Sequence, residues 1–513
     1  MILTRVGQWF TRNERVVPWL LFIGLTAIYL GFPTRNYYWD GITFARTIES
    51  AREFKSLIHP SHLLYNVVGY LFFYLLQTVG LNVRAITALQ TLNGLLSASA
   101  AVVFFSILKS AFRSLYLATF LTLLFGLSAT WWKFSSDADA YIISVLFILI
   151  AFRFILAHEK PRPLLVAILY AASMCFHQLA IFFGPVLMVG LAYQTKRNLS
   201  SYLQFSLVSV GLTTAAYFYC FYISVQSINP KSFLRWVTYY SPDASFSFNF
   251  WQDLGYTLRG NARLFVSGRF NLLEGLINPI IVILLVLLVI VFCFLGYRLV
   301  RNFQRPGINT LGKLFRLEEN RPLLILSLVW LSIYLLFLFV WLPQNTFYRL
   351  FYLPSLVLII GLLARMRDEK FEYQPKYRLA VFTIAVGLVN FLFFIFPYSH
   401  VEKFPPTRFA LEMNQLWTTN TVIFYGIENA DENLVGYFAP NTMWVRLDEP
   451  VTLENEVKNR SAQGFSVWLE TTAIDQLVST PEGAEWLKAH ENQNSRRQLK
   501  DRGFRIEFVQ VLP

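Results

Sequence analysis

Apolar runs with the length of a bilayer crossing recur through most of this chain, and they decide its fold class before any motif is considered. A hydrocarbon layer about 30 Å thick takes roughly 20 apolar residues of helix, because backbone amides and carbonyls must be satisfied within the segment. Runs of that kind are read at 16–32, 84–108, 112–130, 141–157, 163–176, 179–193, 202–225, 276–296, 323–341, 350–364 and 379–396. Together they predict a membrane all-α bundle of about eleven transmembrane helices. Only 15% of the 513 residues are charged, at a mean hydropathy of +0.46, where a soluble domain carries about 25%. A water-soluble enzyme is excluded on that ground. An outer-membrane barrel is excluded too, since its segments would be about 10 residues long and alternate in polarity. Cys175, Cys220 and Cys293 all lie inside apolar runs, which leaves neither a disulfide framework nor a thiolate metal site.

The net charge of +13 is unevenly spread. From Pro397 onward 16 acidic residues outnumber 11 basic ones, which leaves 33 basic and 15 acidic residues before it. A basic excess confined to the membrane part is the positive-inside bias of cytoplasmic loops facing anionic lipid, so nucleic acid is not an expected partner. The run at 16–32 follows Arg5, Arg12 and Arg15, and aromatic residues rather than a small-residue cleavage site come after it. It therefore reads as an uncleaved first span with a cytoplasmic N-terminus.

Residues 62–80 are apolar enough for a twelfth span. If they crossed, nearly every later Lys/Arg pair would move to the outside, so they are expected to form an outer juxtamembrane or re-entrant element. The first outer loop then covers residues 34–83. The division is a membrane domain over 1–396 and an extracytoplasmic domain over 397–513, in a multi-pass protein of the plasma (inner) membrane. In the second domain, strands at 421–425, 443–447, 465–469 and 504–511 alternate with helices at 453–460 and 481–490, which predicts a small α/β domain with a largely parallel sheet.

On this topology eight carboxylates of the membrane part face outward, and two groups sit directly at span ends. Asp40 follows three aromatic residues in NYYWDG, at headgroup depth, where it can serve as general base toward an acceptor hydroxyl or pair with Arg35 or Arg46. Asp137 and Asp139, in SSDADAY, can converge on one site from a loop, or one of them can cap the helix beginning near Ala140. His59 and His62 flank Pro60, with spacing better suited to hydrogen bonding a phosphate or Asp40 than to ligating a metal. His177 sits at an outer turn, as a cap or a site residue. Arg349 lies at another outer turn, where a guanidinium can grip a phosphate or anchor a lipid headgroup by snorkelling.

This arrangement resembles the GT-C superfamily of polytopic glycosyltransferases, which includes protein O-mannosyltransferases and lipid A aminoarabinose transferases. The resemblance rests on an acid shortly after the first span (Asp40), a long first outer loop, and a second acidic motif before the fourth span (Asp137, Asp139). The strings HPSHLLYNVVGYLF and ALQTLNGLLSASAAVVFF are similar to a bacterial branch, although Ser61 and His62 stand where that branch often has proline or glycine. The resemblance implies inverting transfer of a sugar from a polyprenyl-phosphate donor on the extracytoplasmic side. Asp40 would be the base, Asp137 or Asp139 the second acidic position, and Arg349 a donor-phosphate contact. It implies a protein, lipid or saccharide as acceptor and membrane lipids as surroundings. No cofactor is assigned, and two loop carboxylates are too few ligands for a dedicated metal site.

Two rival readings share this chemistry of lipid-linked sugars. A transporter or flippase would hold ionisable groups near the bilayer midplane, whereas here they cluster at span ends. A saccharide ligase or polymerase would differ only in its acceptor.

Overall fold

The computed structural model describes residues 14–156, 161–195, 198–238, 248–273, 321–368, 374–426, 432–447, 450–501 and 504–513, with single positions between 283 and 294. The chain divides into two compact units. One holds the residues up to Thr34 together with Thr47–Ser399. The other joins Arg35–Arg46 to His400–Pro513.

The first unit is helical. Among the described residues four helices are long and apolar enough to cross a membrane: Ala85–Phe112, Leu199–Val225, Arg321–Trp341 and Leu379–Tyr398. A fifth crossing is made if Leu115–Gly126 and Ala129–Ser135 count as one span, although they meet at 67°. The expected count of eleven is therefore not established. Val17–Gly31, Tyr141–Leu156, Pro163–Phe176, Gln178–Gln194 and Leu353–Arg365 are apolar but shorter. At about 1.5 Å of rise per residue such helices fall short of the full hydrocarbon thickness. The expected span at 276–296 lies outside the described residues, apart from isolated positions.

Residues 62–80 yield the helix Tyr65–Thr78, 14 residues packed along Ala85–Phe112 and buried only at Tyr65, Asn66 and Gly69. It is about 21 Å long, too short to cross. Gly69 permits the close approach, since a Cβ there would lie 2.6 Å from the Leu89 side chain. Cys175 and Cys220 pack with Leu63 and Tyr217 in one apolar cluster.

The second unit is built on a five-stranded sheet with the order β2-β1-β3-β5-β4, the strands being Thr421–Tyr425 (β1), Thr442–Arg446 (β2), Ser466–Glu470 (β3), Glu491–Asp501 (β4) and Phe504–Val511 (β5). Pairings β1–β2 and β1–β3 are parallel, and the helices Glu432–Phe438 and Pro450–Ala462 make the crossovers that parallel strands require. Pairings β3–β5 and β4–β5 are antiparallel. The sheet is thus mixed rather than largely parallel, because β4 is a strand that hydropathy does not reveal. Only two residues separate it from β5, and so short a connection forces an antiparallel hairpin. Apolar residues line both faces, with Trp417, Trp444, Trp468 and Phe508 on one and Val422, Leu469, Leu477 and Val511 on the other. The Arg35–Arg46 segment is tied into this unit by Thr407 Oγ1 donating to the Arg35 carbonyl (3.1 Å) and by Tyr37 against Phe438 (5.5 Å).

Candidate active site

The break between Ala129–Ser135 and Tyr141–Leu156 carries both acids of the SSDADAY string, and it is fully buried. Asp137 engages both carboxylate oxygens. Oδ1 accepts the Ala138 amide (2.9 Å), and Oδ2 pairs with Lys133 one helical turn earlier. Lys133 is itself buried, with Phe134 against its ammonium. Asp139 accepts the amide of its neighbour Ala140 (2.7 Å). The turn is gripped from one side by two amides on the Ala85–Phe112 helix. Asn93 Nδ2 donates to the carbonyls of Asp137 (2.8 Å) and Asp139 (2.7 Å), and Gln90 Nε2 to those of Thr34 (2.9 Å) and Ser136 (3.0 Å). The Tyr65 hydroxyl sits against Asn93, and burial together with the charges of Asp139 and Asp137 pushes its phenol well above the ordinary value. Sequence reading passed over Lys133, Gln90, Asn93 and Tyr65. Two amides spaced i, i+3 within an apolar run were the available signal.

Next to the acidic turn stands a cluster of three histidines. His59 stacks on His62 (centroids 5.1 Å), and His62 meets His177 edge to face (4.7 Å). Tyr141, which directly follows the acidic turn, closes on His177 (5.0 Å) and His62 (6.3 Å). Tyr348 and Phe351 cover His177 from the opposite side. The backbone fixes the tautomers. His62 Nδ1 donates to the Phe176 carbonyl (3.2 Å), while His177 Nδ1 accepts the Leu179 amide (3.0 Å) and His59 Nδ1 the Ser61 amide (3.3 Å). His177 therefore caps the 3-10 turn Gln178–Phe183 and belongs to the cluster at once. Among the described residues no group of His, Cys, Asp or Glu is arranged to hold a metal ion.

Burial lowers His59 to about 4 and His177 to about 3, and holds His62 well below its ordinary value, with the charges of its two neighbours adding to the effect. The sign follows directly: the unfolded chain takes up protons from about pH 6.5 downward, and the folded cluster refuses them. Stability is expected to fall as pH drops from 6.5 toward 4, by at most about 1.4 kcal/mol per pH unit for each histidine. Melting temperatures across that range, with His62→Asn giving a shallower slope, test this; an unchanged slope would detach the loss from the cluster.

Arg349 sits on the 3-10 turn Phe347–Phe351 and is fully buried, which rules out a snorkelling anchor. Nη1 donates to the Tyr352 hydroxyl (2.6 Å) and Nη2 to the Pro343 carbonyl (2.6 Å), and Tyr352 in turn donates to Asn261 Oδ1 (2.9 Å). The helix Phe250–Phe265 presses Gly260 onto the guanidinium, where a Cβ would come within 2.4 Å of Nε. Among the described residues no carboxylate pairs with Arg349, and Nε has no hydrogen-bond partner. A buried cation without a counter-ion is costly, and a bound anion would offset that cost.

Asp40 occupies the first turn of the helix Trp39–Ser50 and is half-buried. It lies in the Arg35–Arg46 segment of the second unit, whereas the acidic turn, the histidines and Arg349 all belong to the first. Asp137 and Asp139 are buried beside Tyr65 and just before Tyr141, which reaches His62 and His177, and half-buried His59 stacks on His62. Arg349 adjoins this group through Phe347 and Tyr348, which pack on Tyr141 at 5.2 and 5.7 Å.

No protein-family model matches this sequence, and no curated protein does. The fold nevertheless has counterparts among solved structures. The chain is similar to the crystal structure of ArnT from Cupriavidus metallidurans bound to undecaprenyl phosphate, with a TM-score of 0.58 at 11% identity over 98% of each chain. Against the same protein in the apo state the TM-score is 0.56, at 11% identity, over 99% of this chain and 98% of that one. At such identity the likeness establishes the fold alone.

Proposed function

We propose that this chain is an inverting glycosyltransferase that moves a sugar from a polyprenyl-phosphate donor to an acceptor hydroxyl at the outer membrane face. The observation that carries this reading is Arg349: a fully buried guanidinium with no acidic partner among the described residues, in a fold shared with a protein crystallised with undecaprenyl phosphate. Asp40 takes the acceptor proton as the hydroxyl oxygen attacks the anomeric carbon. The bond from that carbon to the donor's phosphate oxygen breaks on the opposite face, and the polyprenyl phosphate leaves with the electron pair. Arg349 neutralises the charge that develops there. His59 and His62 hold the headgroup, and the turn with Asp137 and Asp139 orients the sugar. On this reading the N-terminus is cytoplasmic, residues 1–396 form the inner-membrane domain, and residues 397–513 lie outside.

Purified protein in liposomes, given labelled polyprenyl-phosphate sugar and an acceptor extract, is expected to form a glycosidic product. Arg349→Lys keeps the charge but loses the planar fork, and should raise the donor KM about tenfold, as expected for a charge-assisted hydrogen bond worth roughly 1.5 kcal/mol. Movement of the donor across the bilayer without any product would support a transporter instead.

A further inference from the structure

We propose that Asn93 and Gln90 are positioning residues, which fix the carboxylates of Asp137 and Asp139 by gripping the backbone of the turn that carries them. The inference rests on the transfer reaction proposed above and assigns that reaction two residues outside its binding and proton-transfer groups.

The geometry is a four-point clamp. One turn apart on the Ala85–Phe112 helix, two side-chain amides use both hydrogens of each nitrogen, and every acceptor is a main-chain carbonyl: Thr34, Ser136, Asp137 and Asp139. Three of those carbonyls belong to consecutive or near-consecutive residues of the acidic turn, and the fourth anchors the chain just after the first helix. The Thr34 amide also donates to the Ser136 carbonyl (3.0 Å), so the two strands of backbone are bound to each other as well as to the clamp.

The residue types suit the task. A primary amide is the smallest side chain that can serve two carbonyls at once, and it does so without charge. A hydroxyl offers one hydrogen, while a lysine or arginine would pair with the carboxylates and neutralise them. The clamp also acts at a break in the helices. Residues 137–140 lie between two helices and are completely buried, so their carbonyls need partners from outside the helical ladders. Gly94, beside Asn93, supports the close packing: a Cβ there would stand 3.6 Å from the Ser135 carbonyl and 2.7 Å from Leu30. Asp137 must meet Lys133 from this turn, and Tyr65 touches Asn93 while sensing both carboxylates. A small slip of the turn therefore displaces the whole centre.

Asn93→Leu keeps the shape and removes both donors; Gln90→Met does the same at the other half. Ser99→Ala is the control, because Ser99 on the same helix bonds only its own helix, at Leu95. With wild type forming product in the liposome assay, Asn93→Leu is expected to lose about 10²-fold in kcat, the cost of roughly an ångström of misplacement. Its donor KM should stay close to that of Ser99→Ala, while its melting temperature falls further, because two buried carbonyls lose their donor. Gln90→Met, which leaves Asn93 in place, should lose less in kcat with the same unchanged KM, and it decides the matter if Asn93→Leu does not fold. Full kcat in the folded variants, or a loss that appears equally in KM, overturns the clamp while leaving the transfer reaction standing. A wild type that forms no product overturns the reaction, and the clamp's role with it.

Discussion

Asp40→Asn is expected to abolish sugar transfer, by about 10²- to 10⁴-fold in kcat as is typical when a general base is removed, with folding intact. Two features single out this carboxyl group. It is half-buried, so an acceptor hydroxyl can reach it, whereas Asp137 and Asp139 are wholly enclosed. It also sits in the first turn of Trp39–Ser50, at the N-terminal end of the helix. Asparagine retains the size and one acceptor oxygen, so the change isolates the charge. Asp139→Asn is the informative comparison. It keeps the bond from the Ala140 amide, and should lower kcat without the complete loss expected at Asp40. Transfer rates of the two variants, measured with donor saturating, settle the assignment. Unchanged turnover in Asp40→Asn removes it from the mechanism, and loss confined to Asp139→Asn moves the base into the buried turn.

Hydropathy carried the membrane class and the long spans, because these follow from how many apolar residues adjoin one another. The helices Ala85–Phe112, Leu199–Val225 and Arg321–Trp341 fall where apolar runs were read. The run at 112–130 was legible as apolar but its 67° break was not, since a bend at Leu127 and Ser128 costs no hydrophobicity. Strand β4 was invisible for the opposite reason: ENQNSRRQLKD lacks apolar alternation and is held as an edge strand by its ladder with β5. The histidine pair was visible in sequence. Its third member was read as a cap or a site residue at a turn, but not as a partner of the pair, because His177 joins it through a contact 115 residues away in the chain. Lys133 was hidden by its setting in WWKFSS, where a basic residue between two spans reads as a solvated loop charge.

That buried lysine supports the other large effect. Lys133→Met is expected to destabilise the folded protein by about 3–5 kcal/mol, the usual result of stripping the partner from a buried ion pair. The methionine fills the space of the lysine stem, so the loss reports on charge rather than a cavity. The buried Asp137 carboxylate would lose the cation on Oδ2 and keep the Ala138 amide on its other oxygen. Lys133→Met combined with Asp137→Leu removes both charges together, and should recover most of the stability, because two apolar groups of similar volume need no counter-ion. Thermal unfolding of the two variants in one detergent gives the comparison, and transfer activity then separates the two roles open to the pair. If Asp137 only balances Lys133 within the fold, the stable double variant transfers sugar at close to the normal rate. If Asp137 orients the substrate, the double variant is stable and inactive. Equal stability of the single variant and wild type would mean that the ammonium is not the carboxylate's counter-ion, and that backbone contacts, the Asn93, Gln90 and Thr34 amides among them, hold the acidic turn.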